Sequence, residues 1–403
     1  MKRIGFLYEK IIATENIEAA IYEAARNKKK RKDVQEYLAD IPATIKEIQE
    51  GLEDGSFATK IHRGRIVQRR RTHKKKRLII QPTFKESIVH YAILRVISPI
   101  LKNRFVYQCV GSIPGKGIHK GKYIIEKYIR ESFHDPSRIK YILKADVHHF
   151  FQSIKPEVLK EKFRRIFKDP KLLRILYIIV DSNKAYFNGR IVNMGLPIGF
   201  YTSQWFSNFF LNDFDHFVKE QLHIKCYVRY VDDIVMFYHN KKELRKAFRR
   251  MCEFLKMEEL EFNSKWQIAK FDYTNRKGQR IGRFIDFLGF RFYRNKTTLR
   301  RKNMLKLTRK ALSMAKKKRI TWFDASQFMS YWGWIKHTDC QIVYQKYIKG
   351  KVSIKKCKKI LSHHSKLEAI RALKKAEKLK KRLKPKLLNT VLRKRREKVT
   401  VSE

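Results

Sequence analysis

The most constraining stretch of this chain is CYVRYVDDIVMFYH, residues 226–239, in which two apolar runs flank a polar pair, Asp232-Asp233. Short apolar runs of this kind are consistent with strands buried on both faces. A brief polar break between two of them predicts a tight hairpin. Two adjacent carboxylates would then share the hairpin tip, where like charges destabilise a fold unless a cation joins them. A third carboxylate, Asp146, ends another apolar run, YILKAD. Two explanations stay open. One is a structural salt-bridge cluster, since the chain holds 94 Lys and Arg against 38 Asp and Glu. The other is a pair of Mg²⁺ ions about 4 Å apart, the arrangement that serves in-line displacement at phosphorus.

The charge narrows the partner. A formal net charge of +56 on 403 residues opposes compaction and implies a polyanion, either nucleic acid or an anionic surface. Hydrophobic residues make up 43%, enough for a core, which excludes disorder over most of the chain. The five cysteines are widely scattered with no CxxC, so neither a disulfide framework nor a zinc cluster is indicated. No apolar run approaches the roughly 20 residues of a membrane span. The opening MKRIGFLYEK meets Glu9 and Lys10 too early for a secretory leader. The expectation is a soluble, cytoplasmic protein with no membrane partner.

Periodicity gives a mixed α+β chain. Residues 15–52 read as two helices interrupted by the basic run Asn27–Lys32. RIVQRRR and RLIIQP read as two strands joined by a basic turn, Thr72–Lys76, before a helix over Glu86–Leu101. Gly111–Gly121, GSIPGKGIHKG, is a glycine loop that either holds phosphates through backbone N–H groups or is plain surface. YILKADVHHFFQSI (141–154) reads as strand-like and then turns, before one helical stretch, Pro156–Val180, and a short strand, Phe187–Asn193. Residues 195–222 read as a loop and a long aromatic helix, Lys241–Glu259 as a basic amphipathic helix, and 283–294 as a bent strand or strand pair around Gly289. Basic helical segments follow to Ile348. Residues 351–403 hold 20 Lys or Arg and 4 Glu, a basic helical tail suited to RNA.

These motifs, in this order over roughly 60–345, resemble the reverse transcriptases of bacteria. YVDD (230–233) resembles their catalytic hairpin, and Asp146 in ADVHHFFQSI their first catalytic aspartate. LPIGFYTSQ (196–204) resembles their nucleotide-contacting loop, FLGF (287–290) their primer grip, Asn263-Ser264-Lys265 their lysine-bearing motif, and Arg77 their fingers arginine. The resemblance implies a right-hand polymerase: an N-terminal helical extension (1–58), fingers and a palm with an antiparallel sheet (59–294), a helical thumb (295–350) and the basic tail (351–403). It implies that Asp146, Asp232 and Asp233, with the Val147 carbonyl, hold two Mg²⁺ ions, for which Mn²⁺ could substitute. Phe151 would gate against a ribose 2′-hydroxyl. Arg77 would clamp the triphosphate, and Ile198, Gly199, Gln204 and Lys265 would contact the incoming dNTP. Phe287, Leu288 and Gly289 would grip the primer. His148 and His149 are taken as ordinary strand-edge residues, and Asp181, Asp213 and Asp215 as surface or capping residues.

The IGxxxSQ form of the loop, with Ile198-Gly199 and Ser203-Gln204, is similar to reverse transcriptases of diversity-generating retroelements. That likeness implies cDNA synthesis from a template RNA with errors at adenines, a cDNA/RNA duplex product and a small basic accessory protein. A physical rationale is that Ile198, unlike Gln, cannot hydrogen-bond near the incoming nucleotide, and about 1.4 kcal/mol lost is tenfold in selectivity. The alternatives are a retron, group II intron-like or phage-defence reverse transcriptase and, from another class, a non-catalytic RNA-binding protein.

Overall fold

A computed structural model describes residues 3–68, 76–193 and 195–371. The expected basic turn over Thr72–Lys76 and the tail beyond 371 therefore lie outside the described residues, except that Lys76 begins a strand. The chain divides into two compact units, 1–288 and 289 onward.

The first unit opens with four helices: α1 (Tyr8–Ile12), α2 (Thr14–Ala25), α3 (Lys32–Ala39) and α4 (Ile41–Asp54). The basic run does interrupt the pattern. The second expected helix, however, splits at Asp40, whose carboxylate caps α4 by accepting from Ala43 N–H, with Pro42 in the first turn. Next come β1 (His62–Gln68), β2 (Lys76–Ile80), α5 (Phe84–Arg104) and α6 (Ile118–Glu131). Thr83 and Glu86 form a reciprocal capping box that starts α5. The last residues of the expected glycine loop belong to α6, because its apolar face (Ile124, Ile125, Ile129) begins one turn further on and packs inward.

Then follow β3 (Tyr141–Asp146), the single turn α7 (Phe150–Ser153), α8 (Pro156–Ile166) and α9 (Pro170–Asp181). The helix expected over 156–180 breaks because Asp169 caps α9 and Pro170 begins it. The same carboxylate accepts from Leu7 and Tyr8 N–H, each at 2.9 Å, docking the start of the chain. Where one short strand was expected, a hairpin forms from β4 (Lys184–Phe187) and β5 (Arg190–Asn193). Its loop is Asn188-Gly189, both at positive φ, the pairing that a type I′ turn demands.

The aromatic segment is not one continuous helix. It runs as α10 (Tyr201–Phe210), α11 (Asn212–His216) and a π-turn over Phe217–Gln221. β6 (Cys226–Tyr230) and β7 (Asp233–Tyr238) form the expected hairpin, and α12 (Lys241–Met257) follows. β8 (Gln267–Lys270), β9 (Tyr273–Thr274), β10 (Arg280–Ile281) and β11 (Ile285–Phe287) close the unit.

Two sheets organise it. The antiparallel sheet has order β6-β7-β3-β8. Leu143 and Ala145 of β3, Tyr227 of β6 and Ile234 and Met236 of β7 are buried in one core with the phenylalanines of α10 and α11. The other sheet, β2-β1-β4-β5, joins β1 to β4 in parallel.

In the second unit, β12 (Phe290–Phe292) pairs antiparallel with β13 (Thr297–Leu299), followed by α13 (Arg301–Ala315), α14 (Trp322–Ile335) and α15 (Gln341–Tyr347). Residues 354–371 are helical. Phe328 is buried and Trp334 packs on Phe290, so part of the aromatic set is core. Among the described residues no helix is long and apolar enough to cross a membrane.

Candidate active site

The three acidic residues meet at one end of the β6-β7-β3-β8 sheet. Asp146 on β3 lies directly opposite Asp233 on β7. Asp232 occupies the two-residue hairpin loop, and its carbonyl accepts from Val147 N–H at 3.3 Å. Like charges placed directly across a ladder repel, yet this register sets Asp146 and Asp233 side by side, half-buried with Asp232. Asn263 reaches the same point: its N–H donates to the Asp146 carbonyl at 2.8 Å and its Nδ2 to Asp146 Oδ2 at 3.3 Å. Asn263 Oδ1 accepts from Lys265 N–H at 3.1 Å, so exposed Lys265 hangs on a turn tied to Asp146.

The hairpin loop is held from beneath by a buried polar network. Val231 has φ +59°, where a β-branched residue is strained. Its carbonyl accepts from Arg229 Nη1 at 2.7 Å. Arg229 is fully buried and donates to Asp215 Oδ1 at 2.7 Å and Oδ2 at 2.5 Å, while Tyr227 Oη donates to Asp215 Oδ1 at 2.6 Å. Burial works against the Arg229 charge, but the Asp215 carboxylate outweighs it and raises the guanidinium pKa further. Asn208 Oδ1 accepts from Arg229 at 3.1 Å, and Asn208 Nδ2 donates to the Gly111 carbonyl at 2.7 Å. A Cβ on Gly111 would sit 2.5 Å from Val231 N, so only glycine lets that loop approach the hairpin.

Asp215 is therefore no surface or capping residue. It has zero exposure and anchors Arg229, and the missed signal was an arginine inside an otherwise apolar strand, which must be paired. Asp213 and Asp181, by contrast, are half-exposed or more and pair with Lys162 and Lys160. His148 and His149 lie beyond the end of β3 rather than on its edge. His149 sits at φ +43° and His148 Nδ1 pairs with Glu261 at 3.1 Å.

Separate backbone hydrogen bonds anchor two of the other expected nucleotide residues, Phe151 and Ile198. The Phe151 carbonyl accepts from Leu196 N–H at 2.7 Å, and a Cβ on Gly195 would meet that same oxygen at 2.4 Å. Phe151 is half-buried against the core, while Phe150 is buried in it as expected. The Ile198 carbonyl accepts from Ile80 N–H at 2.9 Å. Gly199, at φ +129°, passes so close to β2 that a Cβ would lie 1.9 Å from the Ile80 carbonyl. Arg77 lies on β2 opposite Val67, and its side chain lies outside the described residues. Gly199 and Gln204 line a cavity of about 460 Å³ together with Lys28, Arg31 and Arg65. Lys28 and Arg31 come from the basic run Asn27–Lys32, whose sequence predicts only a break between helices. Burial and the neighbouring Arg31 lower the Lys28 pKa.

Phe287 is fully buried on β11, and Leu288 packs against Gly121, where a Cβ would meet Leu288 Cδ1 at 2.4 Å. Lys144 Nζ, on β3, donates to the Asp286 carbonyl at 2.7 Å, joining the strand that carries Asp146 to this segment. Gly289 begins the second unit at φ +89°, its Cα facing Trp334 and Asn303.

Among the described residues no group of three or more His, Cys, Asp and Glu side chains is gathered as a ready-made metal cage. The hard carboxylate oxygens still fit Mg²⁺, which keeps several waters and binds through one or two carboxylates plus substrate phosphates.

A family model described as reverse transcriptase (RNA-dependent DNA polymerase) matches residues 67–292. The chain is 21% identical over 248 residues to Protein YkfC of Escherichia coli (strain K12), an alignment covering 54% of this chain and 63% of that protein. It thus spans less than two thirds of the curated relative's length. Among solved structures, apo telomerase from Candida tropicalis aligns with a TM-score of 0.49 and 13% identity over 68% of this chain and 53% of that one. Telomerase from Candida albicans, in complex with a fragment of telomeric RNA, aligns with a TM-score of 0.44 and 12% identity over 74% and 56%.

Proposed function

This chain belongs to the reverse transcriptase family, and from that premise we propose that it is an RNA-directed DNA polymerase that copies a template RNA by nucleotidyl transfer from dNTPs. The observation that carries the reading is the register placing Asp146 opposite Asp233, with Asp232 in the adjoining loop. Reverse transcriptases generally use divalent metal ions. Here Asp146, Asp232 and Asp233, with the Val147 carbonyl, would hold two, Mg²⁺ or Mn²⁺. Bound ions supply a lowered pKa at the primer 3′-hydroxyl and charge stabilisation for the leaving pyrophosphate.

The chain's own residues do the positioning. Phe151 closes the space beside the sugar against a 2′-hydroxyl, held by the 195–196 loop. Gly199 lets the Ile198–Gln204 segment seat against β2, the strand to which Arg77, the proposed triphosphate clamp, belongs. Lys265, tethered through Asn263, faces the leaving group as a proton donor. In the right-hand description, residues 59–294 are fingers and palm, 295–350 are the thumb with Phe287–Gly289 gripping the primer, and 1–58 and 351–403 flank them.

Within the family, the IGxxxSQ loop supports an error-prone enzyme of a diversity-generating retroelement, working with a small basic accessory protein. The test gives the purified protein a primed RNA template, Mg²⁺ and dNTPs, and sequences the cDNA. Errors concentrated opposite template adenines, reduced in Ile198→Gln, support this reading. Faithful cDNA moves it to a retron, intron-like or phage-defence enzyme. Asp232→Ala and Asp233→Ala are each expected to lower cDNA yield by at least about a thousandfold while RNA binding persists. Undiminished yield from either rules out the proposed metal site.

A further inference from the structure

We propose that the second unit carries a separate nucleic-acid site, a pocket that takes a short single-stranded segment of RNA. A base would lie against the Trp322–His364 pair and its phosphates along Lys318, Arg319, Lys356 and Lys359. The inference rests on the reading that this chain handles an RNA template, and deepens it by naming where an unpaired stretch is held.

The pocket lies between the turn that precedes α14 and the helical residues 354–371, and its volume is about 700 Å³. That is within the range of specific ligand sites, roughly 300–1,000 Å³. Its wall is chemically uneven. Trp322 stacks on His364 with ring centroids 4.5 Å apart at 23°, a flat aromatic surface. Trp322 also stays 42% exposed, whereas Phe328 and Phe290 of the same unit are fully buried. An indole that the fold presents to solvent beside a second ring is placed for a planar partner.

The charge points the same way. Lys318, Arg319, Lys356 and Lys359 line the pocket and no Asp or Glu does. None of the four is salt-bridged among the described residues. The neighbouring carboxylate, Asp324, is already engaged: Lys310 and Lys317 donate to it at 2.8 Å, and Thr321 Oγ1 at 2.8 Å. Those bonds hold its pKa well below the ordinary carboxylate range. Four uncompensated cations around one concavity raise a positive potential that a phosphate chain relieves.

The combination selects a single strand. A duplex hides its base faces in the stack and offers phosphates only, while an unpaired base can lie on an aromatic ring, a contact worth about 1–3 kcal/mol. The pocket makes both contacts available within one site.

The experiment uses the full chain and a labelled 12-nucleotide single-stranded RNA, with the same sequence as DNA and as an RNA duplex for comparison. Affinity is read by fluorescence anisotropy across a salt series. Trp322→Leu is expected to weaken binding of the RNA strand about tenfold, with little change for the duplex. Lys356→Glu/Lys359→Glu is expected to flatten the slope of log K against log salt by about 1.4, the loss of two single-strand phosphate contacts. The lysines are exposed and Trp322 is half-exposed, so two chemically independent variants test the site, and thermal melting confirms that each folds.

Wild-type affinity and salt slope in both variants overturn the proposal. Tighter binding of the DNA strand overturns the assignment to RNA, and an equal Trp322→Leu loss on the duplex overturns the assignment to single strands. Primer extension with the wild-type protein separates the two readings. No cDNA under any condition, together with a Trp322→Leu loss on RNA, sinks the polymerase and leaves the pocket standing. Normal cDNA with no loss sinks the pocket alone.

Discussion

Among its described residues, the first unit contains two hairpins with two-residue loops, built on opposite principles. The β4–β5 loop is Asn188-Gly189, with φ of +48° and +78°, residues that tolerate left-handed backbone. The β6–β7 loop is Val231-Asp232, with positive φ at Val231 alone. That position is the one where a type II′ turn asks for glycine. The first hairpin is specified by its own loop. The second is imposed from outside by Arg229, Asp215, Asn208 and Gly111, and its strain, on the order of 1–3 kcal/mol, falls beside the acidic residues. The difference teaches that the site's geometry is bought with buried polar contacts rather than local turn preference.

Removing the imposed support has the largest expected effect on the fold. Asp215→Ala leaves Arg229 buried without its carboxylate, a loss of about 3–5 kcal/mol. Chemical denaturation reads that loss, and primer extension reads whether the Val231–Asp232 loop survives. The apolar pair Arg229→Met/Asp215→Leu is expected to recover stability but not cDNA synthesis. Recovery of both would reduce the network to a packing device.

Acid separates the two regions by a different route. β1, which pairs with β4, carries His62, bonded to Glu86 at 2.8 Å, and His90 lies behind on α5. Burial lowers the His90 pKa to about 4. Burial alone would raise that of Glu86, but His62 and the Thr59 and Thr83 N–H groups outweigh it and bring it to about 2. The unfolded chain binds a proton at His90 below about pH 6.5 and the folded chain does not, so stability falls as pH drops from 6.5 towards 4. Glu86 adds a further loss below about 4.5 by the same sign. The His90 contribution is on the order of 3 kcal/mol, read as melting temperature against pH. His90→Phe, which keeps a ring against Phe200, is expected to flatten the profile between pH 6.5 and 4.5. An unchanged profile would assign the acid sensitivity elsewhere.

Gly111→Ala probes the contact between loop and hairpin. Its Cβ meets backbone at Val231, which cannot swing aside as a side chain can. The cost is about 1–3 kcal/mol, with cDNA synthesis falling more steeply than stability. Equal losses would mean that the loop's approach serves folding alone.

What was legible in the sequence follows the same division. The β6–β7 hairpin, β3 and the three aspartates were readable because apolar runs and a polar break are local signals. The Asn188-Gly189 turn is an equally local signal, although the expectation there is one short strand. Asp215 could not be placed, since its partner Arg229 lies on a strand whose neighbours only the folded sheet defines. Lys28 and Arg31 likewise reach the cavity at Gly199 and Gln204 only because the chain returns there some 170 residues later. Helix breaks at Asp40 and Asp169 are marked by cap-plus-proline pairs, but the apolar period continues across them and predicts unbroken helices.

The smallest expected effect is the control for the whole comparison. A Cβ on Gly189 would meet nothing within 4 Å, so Gly189→Ala carries only the backbone cost of a left-handed residue, about 1 kcal/mol. Denaturation should register that loss and primer extension should register none. Gly111 is not among the glycines at positive φ, so its substitution carries the contact cost without the backbone one. Matching losses of synthesis in the two variants would show that any weakened loop of this unit disables the enzyme. Loss in Gly111→Ala alone would mean that the strained hairpin, and not the relaxed one, is where the fold holds its chemistry.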